Sequence, residues 1–448
     1  MDFNTFKNMV IARAEELGIT EYELFYTSSA STMVKVFQSE IDQFSASEEG
    51  GVCFRCIVNG KMGYASTEEL SSAQAAAVVE RAADNASVLE SEEQVFLGEG
   101  GQVYEQLKRG TYSLPTTEEL IKAALTTQEQ LYAADPAVVD GSETRAVSEY
   151  SRIAICNSKG LDLSYENNLA VVMAEAVVER DGEKSNDYAF KLGKIDTIDT
   201  GELAKKAVKD ALAKLGAEVA PTGNYPVVFS PEAMSSILNV FSSVFSSEAA
   251  QKGLSRLAGK EGEIIAADIV TLVDDPFHKD NPMPIHFDAE GSPTRRKNII
   301  EKGQLKTLLY NLKTAAVAGK KTTGNASKAG YDAPIGLRPF TLYLEGGEMT
   351  EAQLLQKAEN GVYICELQGL HAGASPVTGD FSLQSSGFLI ENGIKTIPVK
   401  GFTVAGNFYE LLQNITALAD NVKLPRALGM TAFGAPTVLV EGLSVAGK

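Results

Sequence analysis

Residues able to do polar chemistry are unevenly placed along this 448-residue chain. The stretch VDDPFHKDNPMPIHFDAEG, residues 273–291, gathers Asp274, Asp275, His278, Asp280, His286, Asp288 and Glu290 around three prolines. Carboxylates and imidazoles together can hold a divalent cation, and Asp275, His278 and His286 are the candidate ligands. No recognised ligand spacing joins them, and proline-rich acidic loops are more often solvated connections. The remaining histidine, His371, sits in LQGLHAGASPVTGD, where a loop imidazole beside glycines could contact a substrate. Just beyond it, VTGDFSLQSSGFLIENG (377–393) joins a polar step, Gly379-Asp380-Phe381-Ser382, to an alternating strand and an Asn392-Gly393 turn.

Several chemistries are excluded or disfavoured. Histidine is absent before residue 278, so no zinc site built on paired helical histidines can lie in the first 277 residues. No G-x-S-x-G elbow supports a Ser-His-Asp site. Cys53 and Cys56 form a CxxC, but on a strand residues i and i+3 face opposite sides of the sheet about 10 Å apart, too far to share one metal. AGKKTTG (318–324) lacks the leading glycine and the Lys-Ser/Thr ending of a phosphate loop. Asn85, Asn325 and Asn414 begin glycosylation sequons that matter only in a secreted protein.

The elements that must position these residues suggest an α+β fold. Phe3, Phe6, Val10, Ala14 and Leu17 predict a first helix that Gly18 ends. Period-two alternation from Tyr22 to Thr67, with a turn at Asn59-Gly60, predicts antiparallel strands. Ser66 and Glu69 read as the capping box of an alanine-rich helix reaching Leu89. The order then repeats: a helix capped by Thr116 and Glu119, strands over about 145–192 with turns at 158–160 and 181–182, and a helix ended by Gly216. This hints at an internal duplication with subunits 1–90 and 116–216 inside an N-terminal domain, 1–216. AEVAPTGNYP (217–226) reads as the boundary to a strand-rich C-terminal domain, 217–448, with strands near 263–273, 294–310, 339–345, 361–367, 381–399 and 436–441.

Forty basic and fifty-nine acidic residues give a net charge of −19, which disfavours nucleic-acid binding unless a basic face is segregated. No window reaches the roughly 18 apolar residues of a membrane span, and the first residues lack a secretory pattern. Four cysteines in so long a chain suit a reducing compartment, so a soluble cytoplasmic protein is expected.

HFDAEGSPTRRKNIIEKGQLKTLLYN, TTGNASK and VTGDFSLQSSGFLIENGIKTIPVKGFTVAGN together resemble the TldD/PmbA (TldE) family, the modulators of DNA gyrase, over essentially the full length. That resemblance implies an intracellular zinc metalloprotease complex: a TldD-type subunit bears the metal, a PmbA/TldE-type subunit pairs with it, and peptide lies in a cleft. The TldD type carries H-E-x-x-x-H in the region matched here by NVFSSVFSSEAAQKG, and a cysteine ligand near its C-terminus. This chain keeps Glu248 but has no histidine in that segment and no cysteine after Cys365. Zinc needs about three protein donors to hold and activate water, so the resemblance implies a non-catalytic PmbA/TldE-type chain. It would bind no cofactor itself; zinc would sit in a TldD-type partner, with peptide or unfolded protein as substrate. His371, Gly379, Asp380, Phe381 and Ser382 are then candidate substrate contacts. Two rivals are a stand-alone metallopeptidase using His278 and His286, and a homodimeric peptide binder without catalysis.

Overall fold

The computed structural model describes residues 1–90, 93–105, 113–281, 283–426 and 431–448. In the N-terminal half, α1 (Phe3–Glu16), β1 (Tyr22–Phe37), β2 (Glu40–Val58), β3 (Lys61–Thr67) and α2 (Ser72–Val88) precede α3 (Thr117–Ala134), β4 (Glu143–Asn157), β5 (Asp162–Arg180), β6 (Glu183–Gly193) and α4 (Thr200–Leu212). Helix, three strands and helix thus occur twice. The strands form one sheet, β3-β2-β1-β4-β5-β6, in which two antiparallel meanders meet through β1 and β4, from Glu23 opposite Asn157 to Phe37 opposite Glu143.

Local chemistry explains these elements. Asp2 caps α1 by accepting the Thr5 amide at 3.0 Å, and Gly18 ends the helix at φ +69. Asn59-Gly60 and Asp181-Gly182 both turn with two positive φ values, the geometry whose twist matches a hairpin. The capping box of Thr116 and Glu119 is present on α3. Ser66 does not cap α2, because β3 runs on to pair Thr67 with Val52; Ser71 takes that role by accepting the Gln74 amide.

Leu24, Val52, Phe54 and Cys56 pack with α1 and α2, while Val34, Val36, Val172 and Ala174 pack with α3 and α4. One face of the sheet is thereby covered by helices. On the other face Phe25 and Ile155 meet Phe287, Ala289 and Ala326 of the C-terminal half. Cys53 and Cys56 are free thiols, Cys56 among the helix-side residues and Cys53 paired in register with Phe25.

The C-terminal half contains β7 (Gly223–Phe229), α5 (Pro231–Phe241), α6 (Ser247–Gln251), β8 (Leu272–Asp274), β9 (Lys297–Glu301), β10 (Gln304–Leu305) and α7 (Leu312–Ala318). Then come β11 (Ala326–Ser327), β12 (Gly336–Leu337), β13 (Thr341–Leu344), α8 (Glu351–Ala358), β14 (Gly361–Gln368), β15 (Asp380–Glu391) and β16 (Ile394–Asn407). The last elements are α9 (Phe408–Gln413), β17 (Ile415–Leu418), β18 (Lys423–Arg426), β19 (Ala432–Ala435) and β20 (Val438–Ala446). One sheet runs β10-β9-β8-β13-β19-β18. Another runs β16-β15-β14-β7-β20-β17, and pairing of Thr403–Ala405 with Ser444–Ala446 closes β16 onto β20 as a barrel. α5 contributes Met234, Ile237, Leu238 and Phe241 to a core shared by both sheets.

The strand expected over 263–273 shrinks to Leu272–Asp274, because the chain turns where the Val270 amide donates to the Ala267 carbonyl at 2.9 Å. Likewise 294–310 holds only β9 and β10, folded back at Lys302-Gly303, both at positive φ. AGKKTTG runs from the last residue of α7, Ala318, through Gly319, left-handed at the C-cap, into the following loop. Among the described residues no helix is long and apolar enough to cross a membrane.

Candidate functional site

The polar step at Gly379–Ser382 begins β15, and burial alternates along it: Asp380 and Ser382 are exposed, Phe381 and Leu383 buried. Phe381 therefore points into the core, where its ring lies edge-on to Phe241 at 6.2 Å; Phe241 in turn stacks on Phe408 at 4.6 Å. Asp380 accepts the Asn407 side-chain amide at 2.7 Å, and this bond, with Thr378, holds its carboxyl below the usual range. Asn407 also donates to the Thr378 carbonyl at 2.9 Å while accepting the Tyr409 amide at 3.1 Å as the cap of α9. Gly379 stands at φ +80 with the Tyr409 ring 2.5 Å from where a Cβ would be, so no other residue fits there without movement.

The loop after α6 reaches the same place. The Arg256 amide donates to the Tyr409 hydroxyl at 3.3 Å, and its guanidinium lies 5.3 Å from the ring centre. His371 is exposed in a turn closed by the Gly373 amide on the Gly369 carbonyl, and the loop is tied to β15 by the Ser382 amide on the Gly373 carbonyl at 2.7 Å. Residues 252–257, 369–382 and 407–409, far apart in sequence, thus share one surface. It offers a carboxylate, hydroxyls, an imidazole and a guanidinium for hydrogen bonding. No hydrogen bond joins His371 to a serine among the described residues, so the surface lacks a paired nucleophile and base.

The segment resembling the metal helix is broken here. α5 ends at Phe241, a 3-10 turn covers Ser242–Phe245, and α6 holds only Ser247–Gln251. With the H-E-x-x-x-H register set on Glu248, the two histidine places are Ser247 and Lys252. Ser247 is buried and donates to Thr314 Oγ1 at 2.8 Å, while Lys252 Nζ lies 2.6 Å from Glu248. A hydroxyl and an ammonium are not zinc ligands, so these residues do not fit the metal that the family implies.

Asp275, His278 and His286 do not converge either. Asp275 accepts the Phe277 amide at 3.0 Å, His278 lies edge-on to Tyr343 at 4.8 Å, and His286 Nδ1 donates to the Glu105 carbonyl at 3.0 Å. Among the described residues no group of three or more His, Cys, Asp or Glu is placed to hold a metal ion.

The acidic loop instead fastens the two halves together. Asp288 accepts the amides of Glu290 and Ser292 at 2.9 Å each and that of Ala326 at 3.0 Å. Glu290 accepts the Leu312 amide at 2.8 Å, and its own carbonyl lies 2.1 Å from where a Cβ on Gly98 would be. Across the junction Arg55 donates through Nε to Glu23 at 2.7 Å, both nearly inaccessible to water. Burial, then the charge of Asp288, push the Glu290 carboxyl up to about 8, with Arg55 opposing. Burial also raises Asp288, against its three amide hydrogen bonds.

An acid raised in the fold adds stability fully below its unfolded value near 4.5, and that contribution is lost as pH rises through about 8. Thermal unfolding between pH 6 and pH 9 should therefore show Glu290→Gln, which cannot ionise, losing less stability than the parent over that interval. Equal losses would mean that Glu290 does not titrate there.

Three profiles of one family match this chain: PmbA/TldA metallopeptidase domain 1 over residues 22–86, its central domain over 112–215 and its C-terminal domain over 222–447. An uncharacterized protein of Methanocaldococcus jannaschii is 26% identical over 407 residues, 89% of this chain and 92% of its own. Metalloprotease PmbA of Escherichia coli O157:H7 is 25% identical over 308 residues, 68% of this chain and 66% of its own. Among solved structures, a candidate modulator of a DNA gyrase from Thermotoga maritima superposes with a TM-score of 0.89 at 30% identity, covering 99% of this chain and 100% of that one. TldE from Thermococcus kodakarensis shares the fold, with a TM-score of 0.88 at 24% identity over 98% and 99% of the two chains. The chain belongs to the PmbA/TldD metallopeptidase family.

Proposed function

We propose that this chain is a PmbA/TldE-type subunit of a cytoplasmic TldD-type zinc metalloprotease, paired as a heterodimer with the subunit that carries the metal. The observation that carries the reading is the pairing of Lys252 with Glu248 beside Ser247, at the places where the family's metal helix needs histidines. A cationic side chain there repels a metal ion, and no cysteine follows Cys365 to replace the lost donors.

In this reading residues 217–448 line part of the peptide cleft. Asp380, Ser382 and His371 would hydrogen-bond extended peptide, while Gly379 and the buried Phe381 shape the step beneath them. Hydrolysis would occur on the partner, and residues 1–216 would serve assembly. The net charge of −19 supports peptide rather than nucleic acid as ligand.

The test is affinity capture of this chain from cells that encode a TldD-type protein. Stoichiometric co-purification of that protein is expected. Recovery of this chain only as a homodimer from such cells would overturn the assignment.

A further inference from the structure

We propose that the outer edge of β2, Glu40–Gly50, binds an extended basic polypeptide segment as an added β-strand. β2 pairs along its inner edge with β1 from Glu40 to Cys56, but β3 covers its outer edge only from Val52 to Val58. Residues 40–50 therefore carry a row of backbone donors and acceptors without a strand partner among the described residues. Residues 40–49 are exposed at every position, so both faces as well as the edge are open to solvent. Ile41 is 47% and Phe44 52% exposed, giving an incoming strand apolar side chains to lie against.

The corresponding stretch of β5 in the second meander is different. From Asp162 to Asn167 its residues alternate between exposed and partly buried, Leu169 is buried, and the Asn167 side chain donates to the Pro284 carbonyl at 3.2 Å. There the C-terminal half rests on the strand. The matching part of β2 is instead exposed from Glu40 to Glu49, and the C-terminal half reaches this strand at Gly51, where the Tyr331 ring lies 2.6 Å from the place of a Cβ.

Charge selects the occupant. EIDQFSASEEGG carries Glu40, Asp42, Glu48 and Glu49 and no basic residue. Asp42 shares Lys35 with Glu143, at 3.1 and 2.9 Å, whereas Glu40, Glu48 and Glu49 have no ion-pair partner among the described residues. A second copy on this edge brings acid against acid; centred on Ser45, Glu48 would face Asp42 twice. Like charges directly across a ladder are unfavourable, and opposite charges favourable. A strand with lysine or arginine at alternate positions gains main-chain hydrogen bonds from the open edge and cross-strand ion pairs from these acids. This extends the peptide-binding part of the function proposed above, but it concerns a different half of the chain and needs no metal-bearing partner.

The experiment uses the full chain purified alone, so its failure is separate from failure of the heterodimer assignment. Dye-labelled, end-capped octapeptides alternating lysine with threonine, or glutamate with threonine, are titrated and followed by fluorescence anisotropy. The lysine probe should bind and the glutamate probe should not. Methylating alternate backbone nitrogens of the lysine probe should abolish binding. The pair Glu48→Lys and Glu49→Lys should weaken the lysine probe about fivefold or more while thermal unfolding is unchanged. Absence of lysine-probe binding, equal binding of the methylated probe, or equal binding to the charge-reversed protein would each overturn the proposal.

Discussion

Phe241→Ala is expected to lower the unfolding free energy of the C-terminal half by about 3 to 5 kcal/mol, the range for emptying a close-packed aromatic site. Phe241 has no solvent exposure and joins three elements: it belongs to α5, stacks on Phe408 of α9 with planes 6° apart, and meets Phe381 of β15 edge-on. The stacked pair adds about 0.5 to 1.5 kcal/mol beyond area burial, so Phe241→Leu should be milder but still destabilising. Denaturant titration of parent, Phe241→Ala and a control, Val317→Ala at a 71% exposed position, checks this. The control should shift by no more than about 0.5 kcal/mol. A loss under about 1 kcal/mol for Phe241→Ala would mean the aromatic cluster does not hold the polar step in place.

Arg55→Met should destabilise by a comparable amount, about 3 to 5 kcal/mol, for an electrostatic reason. Glu23 is 1% exposed and would lose its ion-pair partner Arg55 inside the fold, with Glu290 nearby on the opposing loop. Burial is the largest influence and works against the charge on Arg55, but Glu23, Glu290 and Tyr64 together more than offset it and hold the guanidinium protonated. Combining Arg55→Met with Glu23→Gln leaves no unpaired charge, so the double variant should recover much of the loss. Thermal unfolding of the four proteins measures the coupling. Additive losses would show that the two side chains do not act as a pair.

The parts of this fold legible in the sequence are those decided over a few residues. Helix α1, the capping box of α3, and the turns at Asn59-Gly60, Asp181-Gly182 and Asn392-Gly393 depend on local φ preferences and short side-chain caps. What escaped depends on distant partners. The join of β1 to β4 and the closure of β16 on β20 link strands widely separated along the chain, and alternation alone says nothing about which strands meet. Residues 263–271 are apolar enough to suggest a strand, yet Ile265, Ala266 and Val270 are buried through a turn.

The candidate site follows the same division. The alternation that marks Asp380 and Ser382 as outward and Phe381 as inward is readable from VTGDFSLQ. Arg256, Asn407 and Tyr409 were missed, because their contacts with that step exist only once the C-terminal half has folded. Arg55 carried a signal: a charged residue inside the apolar run VCFRCIV requires a buried partner, although nothing local points to Glu23.

The central claim is that catalytic zinc belongs to a partner and not to this chain. Zinc content and chelator-sensitive peptide cleavage, measured on this chain alone, on a TldD-type protein alone and on their purified complex, test it most directly. Zinc should follow the TldD-type protein, with this chain alone holding none in stoichiometric amount and cleaving nothing, and the complex cleaving in a chelator-sensitive way. One zinc per chain in this protein alone, with cleavage that stops on metal removal and returns with zinc, would contradict the claim.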